Sequence, residues 1–118
     1  MFNPYNAYAF PPPNGQFPVI DERLGYVTNQ LRYYFSLENL LKDMYLRKNM
    51  DSEGYVLLGV INDFHRMKSL SGGALVVLQE AVKYVPELEM VWDREEDGIL
   101  VGAKIRLREQ WENWVIPS

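Results

Sequence analysis

"QLRYYFSLENLLKDMYL", Gln30–Leu46, is the stretch from which the fold can be read. Leu24, Val27, Leu31, Tyr34 and Phe35 recur through and just before it at the spacing of one helical face. A helix turns about 100° per residue, so Tyr33, Tyr34 and Phe35 cannot all be buried together. With Tyr34 and Phe35 on the core side, Tyr33 is the ring left over. It shares a neighbouring face with Gln30, one turn back. Ser36 can open a second helix, although the reciprocal Glu of a full capping box is missing. "MYLRKNM" then continues as a further helical turn or two.

Working outward, "DSEGYVLL" reads as a turn at Gly54 followed by a strand over Tyr55–Leu58. "GVINDFHRMKSL" predicts a helix with Val60, Ile61, Phe64, Met67 and Leu70 on one stripe. After the Ser71-Gly72-Gly73 break, "ALVVLQEAVKYV" repeats the pattern with Leu75, Leu78, Val82 and Val85. "LEMVWD", the "REEDG" turn and "ILVGAKIRLRE" predict a β-hairpin closed near Asp97-Gly98. Short helices followed by a terminal hairpin make an α+β winged helix. It is expected over residues 21–118, with Leu31, Phe35, Leu40, Leu46, Val60, Ile61, Leu78 and Val82 in its core.

Residues 1–20, "MFNPYNAYAFPPPNGQFPVI", differ in character: rich in proline and aromatics, and uncharged. Pro11-Pro12-Pro13 followed by Asn14-Gly15 favours extended chain, so this is read as an N-terminal tail. The 118 residues suffice for one small domain. No apolar run is long enough for a membrane span, and no membrane association is expected. Cysteine is absent, which excludes thiolate chemistry and fits a reducing, cytoplasmic setting. A net charge of −4 argues against a general electrostatic grip on duplex nucleic acid, so any such role needs a specific site.

Gln30, Tyr33, Asp43 and Tyr45 could form one. A carboxylate accepts two hydroxyl hydrogens, as a ribose would offer, while rings stack on bases. The same grouping also occurs in ordinary helices. The remaining groups carry less. His65 is the sole histidine and has no partners at metal-ligand spacing, so no metal or other cofactor is expected. Glu95-Glu96-Asp97 reads as a solvated hairpin tip, and Gly72-Gly73 lacks the Lys-Ser/Thr of a phosphate loop. No nucleophile–base arrangement is visible, so no enzyme is expected. The basic groups Arg47-Lys48, Arg66-Lys68 and Lys104-Arg106-Arg108 can each be a solvated face.

From about Tyr26 onward the sequence resembles the La motif, the winged-helix RNA-binding domain of La and La-related proteins. The likeness rests on "YYFS-x-x-NL-x-x-D", "LRK-x-MD-x-x-G" and the "F-x-R" helix. "FHRMKSLS" and "LREQWENW" look most like the La-related protein 1 branch. The resemblance implies a pocket for the free 3′ end of single-stranded RNA, formed by Gln30, Tyr33, Tyr34, Asp43, Tyr45 and Phe64. Asp43 would accept both terminal ribose hydroxyls, and Tyr33 and Tyr45 would clamp the last bases. Gln30 would bond a base edge or sugar, Phe64 would wall the pocket, and Tyr34 would form its floor. Arg47, Lys48 and Arg66 would contact phosphates, and Asn39 would be structural. Glu38 stands where La has an aromatic, which points away from oligouridine; the likeness to the La-related protein 1 branch implies instead poly(A) tails and a role in messenger RNA stability or translation. The tail's "FNPYNAYAFPPP" is loosely similar to a hook for the poly(A)-binding protein. A monomer is expected. The alternative is a winged helix that binds protein, or DNA through a recognition helix and wing.

Overall fold

A computed structural model describes residues 19–117. Among the described residues the first helix is the long α1, Val19–Tyr34, and its Leu24, Val27, Leu31 and Tyr34 are buried at the spacing the sequence predicts. Two short helices follow, α2 (Leu37–Leu40) and α3 (Met44–Lys48). Ser36 caps α2, its Oγ accepting from the Asn39 N–H at 3.3 Å. Asp43 caps α3, its Oδ1 accepting from the Leu46 N–H at 2.9 Å. α2 and α3 are therefore separate elements, because Asp43 spends its side chain on starting a new helix.

The strand expected over Tyr55–Leu58 is shorter: β1 is Val56–Leu57, and Leu58 opens α4 (Leu58–Asn62). The single helix expected over "GVINDFHRMKSL" is in fact two, α4 and α5 (His65–Ser71). The Asp63 and Phe64 N–H groups bond only three residues back, to Val60 and Ile61, and Phe64 turns extended before α5 begins. Gly72 ends α5 in the left-handed region at φ 67°, a conformation that favours glycine. There the buried Ser71 Oγ donates to Asn62 Oδ1 at 2.8 Å, and Asn62 Nδ2 donates to the Gly73 carbonyl at 3.0 Å. The Ser71-Gly72-Gly73 break is thus fixed by a satisfied polar pair. α6 (Leu75–Val82) follows and packs with α5 against α1.

β2 (Leu88–Glu96) and β3 (Ile99–Leu107) form the expected hairpin, paired from Leu88↔Leu107 to Glu96↔Ile99. Its tip is Asp97-Gly98, both at positive φ (51° and 78°), the mirror-image turn that matches strand twist. β1 joins the other edge of β3 through Val56↔Ile105, giving an antiparallel sheet in the order β1-β3-β2. Helices with a small sheet and a hairpin wing make this an α+β winged helix.

The core gathers Leu31, Phe35, Leu40, Leu46, Ile61, Leu78 and Val82, all expected inside. Val60 departs from expectation: it is only half-buried, packed against the core edge. Leu75 departs further: it begins α6 and is exposed, lining an open groove together with Trp92 and Leu100 of the hairpin. Among the described residues, no helix is long and apolar enough to cross a membrane.

The segment after β3 is held back onto the domain. The Arg106 guanidinium lies 4.4 Å from the Tyr55 ring centroid and 4.6 Å from that of Trp111, in the short 3-10 turn Trp111–Asn113. Arg106 also bonds Glu89 at 3.2 Å and the Glu53 carbonyl at 2.7 Å. Lys104 bridges Asp51 and Asp93, and Arg108 donates to the Pro86 carbonyl. The Lys104-Arg106-Arg108 series is engaged in internal contacts.

Candidate functional site

The end of α1, the α2–α3 junction and the α4–α5 break converge on one cluster of rings. Tyr34 is buried and meets Phe64 edge to face at 5.3 Å and 83°. Tyr45 packs on the other side of Phe64, with centroids 5.7 Å apart, and is 64% exposed. Tyr33 stands 6.4 Å from Tyr34 and is 37% exposed. The ring that the helical stripe leaves over therefore faces outward beside a buried one. The extended turn at Phe64, which broke the expected helix, is what places Phe64 between two tyrosines.

The carboxylate of Asp43 is fixed from both sides. Oδ1 takes the Leu46 N–H as the helix cap, and Oδ2 accepts from Asn39 Nδ2 at 3.0 Å. The Asn39 amide also donates to the Tyr34 carbonyl at 2.9 Å, tying the end of α1 to the start of α3. Each Asp43 oxygen uses one acceptor site internally, and a carboxylate oxygen offers two. The group can still accept one hydrogen bond through each oxygen.

Burial holds the Tyr34 hydroxyl above the usual tyrosine range, and the Asp43 charge adds to this; the neighbouring Gln30 side chain opposes it. The Arg66 charge and the Met67 backbone N–H also favour ionisation, more weakly. Gln30, Asp43 and Arg66 thus all act on one phenol, which stays a neutral donor and acceptor at the floor of the cluster.

The structure therefore brings together Gln30, Tyr33, Tyr34, Asp43, Tyr45, Phe64 and, at the exposed start of α5, Arg66. It does not gather Arg47. That guanidinium turns to the C-terminal segment, with Nε donating to the Trp114 carbonyl at 2.9 Å and the group lying 5.6 Å from the Trp114 ring. Lys48 is exposed in the last turn of α3. Sequence reasoning missed Lys42, whose Nζ lies 5.9 Å from the Tyr33 centroid. Hydrogen bonding to Tyr33, then the charges of Glu38 and Asp43, raise the Lys42 pKa above the ordinary lysine range. Its place immediately before Asp43 was the available signal.

A buried phenol, flanking rings and a doubly anchored carboxylate thus form one cluster of fixed geometry on a winged helix. Residues 27–84 match the La domain, and the chain belongs to the La-motif family. It is 41% identical over 105 residues to an uncharacterised HTH La-type RNA-binding protein of Schizosaccharomyces pombe. It is 35% identical over 117 residues to a La RNA-binding domain-containing protein of Cryptococcus neoformans, and 33% over 122 residues to La-related protein 1C of Arabidopsis thaliana. These alignments cover 89%, 97% and 98% of this chain but 21%, 12% and 21% of the relatives' own lengths.

Proposed function

We propose that this chain is a binding module for the free 3′ end of single-stranded RNA, with poly(A) tails of messenger RNA as its targets. Membership of the La-motif family and relatives named as RNA-binding proteins support RNA as the ligand. The observation that carries the 3′-end reading is the Asp43 carboxylate, held by Asn39 and the Leu46 N–H beside exposed Tyr33 and Tyr45. Among the ends a nucleic-acid strand can carry, a ribose with both hydroxyls free presents two adjacent donors to such a group, whereas a 2′-deoxyribose or a 3′-phosphate does not. A 3′-phosphate would bring negative charge against it. The rings supply stacking surface for the last bases, worth about 1–3 kcal/mol per base. Arg66 and Lys42 supply positive charge at the rim.

The DNA-reading alternative is poorly supported. Helix α6, "LVVLQEAV", has no basic residue to set in a groove, and the wing tip carries Glu95, Glu96 and Asp97. In this reading the module is a non-catalytic monomer acting in the cytoplasm on messenger RNA stability or translation. Contact with the poly(A)-binding protein through the tail falls on residues outside the described ones. The test is anisotropy titration of oligoadenylates ending in a free ribose, a 2′-deoxyribose or a 3′-phosphate. The free ribose should bind tightest. Equal affinity for all three ends overturns the reading.

A further inference from the structure

The wing carries a second surface that the tyrosine site does not use. β1 leaves the sheet at Leu57, whereas β3 continues from Lys104 back to Ile99. Along Ile99–Val101 and at Ala103, β3 is paired with β2 on one side and, among the described residues, has no strand on the other; Gly102 between them turns to φ 73°. At the foot of this open edge is a groove of about 580 Å³. Leu57 and Val60 wall it from below, Leu75 from α6, and Trp92, Leu100 and Ala103 from the hairpin. Leu57, Leu75, Trp92 and Leu100 are all more than a third exposed. Exposed unpaired strand edges invite strand addition, and this one adjoins an apolar trough.

We propose that this edge and groove bind an extended peptide of a partner protein, which adds a strand to β3 and sets alternate apolar side chains into the groove. Main-chain hydrogen bonds would supply affinity, and the trough would select apolar residues at every second position. The charge of the rim narrows the partner further. Asp63 lines the groove, Glu95, Glu96 and Asp97 form the wing tip, and the adjoining α6 has no cation. Arg94 is already engaged with Asp93 and Glu96. Nucleic acid is repelled from such a surface, and a peptide with lysine or arginine flanking its apolar core is favoured.

The test uses the full chain, isotopically labelled, and a synthetic peptide of alternating Val and Thr with Lys-Lys at each end, followed by amide chemical-shift mapping. Shifts are expected at Leu57, Gly59 and Leu100–Ala103, with Tyr33 and Asp43 unmoved. N-methylating alternate peptide nitrogens removes main-chain donors and should weaken binding about tenfold or more. Exchanging the Lys flanks for Glu should weaken it as well. Leu100→Asp should abolish the shifts while leaving oligoadenylate affinity unchanged, so this proposal and the 3′-end reading fail separately. No shifts at millimolar peptide, equal binding of the N-methylated peptide, or displacement of the groove signals by oligoadenylate would each overturn it.

Discussion

Asn39 Nδ2 stands 3.0 Å from Asp43 Oδ2 and 2.9 Å from the Tyr34 carbonyl, so one buried amide joins the ring cluster to the carboxylate. The two partners should respond differently to substitution. Asp43→Asn keeps the helix cap through its amide oxygen, but its Nδ2 then faces the Asn39 Nδ2 donor to donor, so the fold should survive with a loss of about 1–2 kcal/mol. It should still weaken oligoadenylate binding about tenfold or more, since charge-assisted hydrogen bonds are lost. Asn39→Ala leaves the Asp43 oxygen and the Tyr34 carbonyl without their shared donor, and should cost about 1–3 kcal/mol of stability. Urea melts alongside anisotropy titrations separate the two. If Asp43→Asn binds RNA like the parent, the carboxylate is a cap and nothing more.

Tyr33 and Phe35 are two residues apart in sequence and opposite in environment, 37% against 5% exposed. Phe35→Ala should destabilise the fold by about 3–5 kcal/mol as a large core side chain is lost. Tyr33→Ala should cost less stability and remove about 1–3 kcal/mol of RNA binding. Because a ring face tolerates any base, the loss should be similar on A-rich and U-rich oligomers. Selection for A would then fall to hydrogen bonds, with Gln30 the first suspect. A Tyr33→Ala protein that unfolds while its folded fraction binds normally contradicts this.

The parts legible in the sequence are those set by local pattern. Leu31, Phe35, Leu40, Leu46, Ile61 and Leu78 are buried because periodicity fixes which side of a helix faces inward. The hairpin turn at Asp97-Gly98 was legible because its backbone demands those residue types. What could not be read depended on distant contacts or on one residue doing two jobs. Asp43 is at once a helix cap and the half-buried carboxylate of the cluster, and spacing does not reveal the first role. The α4–α5 break follows a continuous apolar stripe, so periodicity predicts a helix straight through it. The direction of Arg47 is set by Trp114, far along the chain and invisible to any window.

Tyr34 supplies a pH signature. Its folded pKa lies above the ordinary value of 10.0, chiefly through burial. Above about pH 10 the unfolded chain releases this proton first, so it binds fewer protons than the folded one. Stability contributed by Tyr34 is therefore intact below that pH and is lost as pH rises through the folded pKa. Because the Asp43 charge adds to the shift, Asp43→Asn should lower the Tyr34 titration midpoint toward the ordinary value. Ring-carbon NMR titration of labelled tyrosine reads this directly. A midpoint unmoved by Asp43→Asn would mean the two groups are electrostatically uncoupled.

The two arginines of the family pattern should separate by the kind of loss they cause. Arg66 is exposed and its charge reaches the Tyr34 hydroxyl, so it can meet a phosphate of RNA lying on the rings. Arg66→Ala should weaken binding at low salt and reduce the slope of log affinity against log salt by about 0.7, one phosphate's worth on a single strand. Arg47 has its guanidinium committed to the Trp114 carbonyl and ring. Arg47→Ala should leave that slope unchanged and instead cost about 1–2 kcal/mol of stability, with the tryptophan emission shifting as Trp114 loosens. Lys42→Ala should behave like Arg66→Ala, because its ammonium stands at the Tyr33 edge of the cluster. If Arg47→Ala alone flattens the salt dependence, the RNA backbone runs along α3 and the C-terminal segment, and the phosphate path lies on the other side of Asp43.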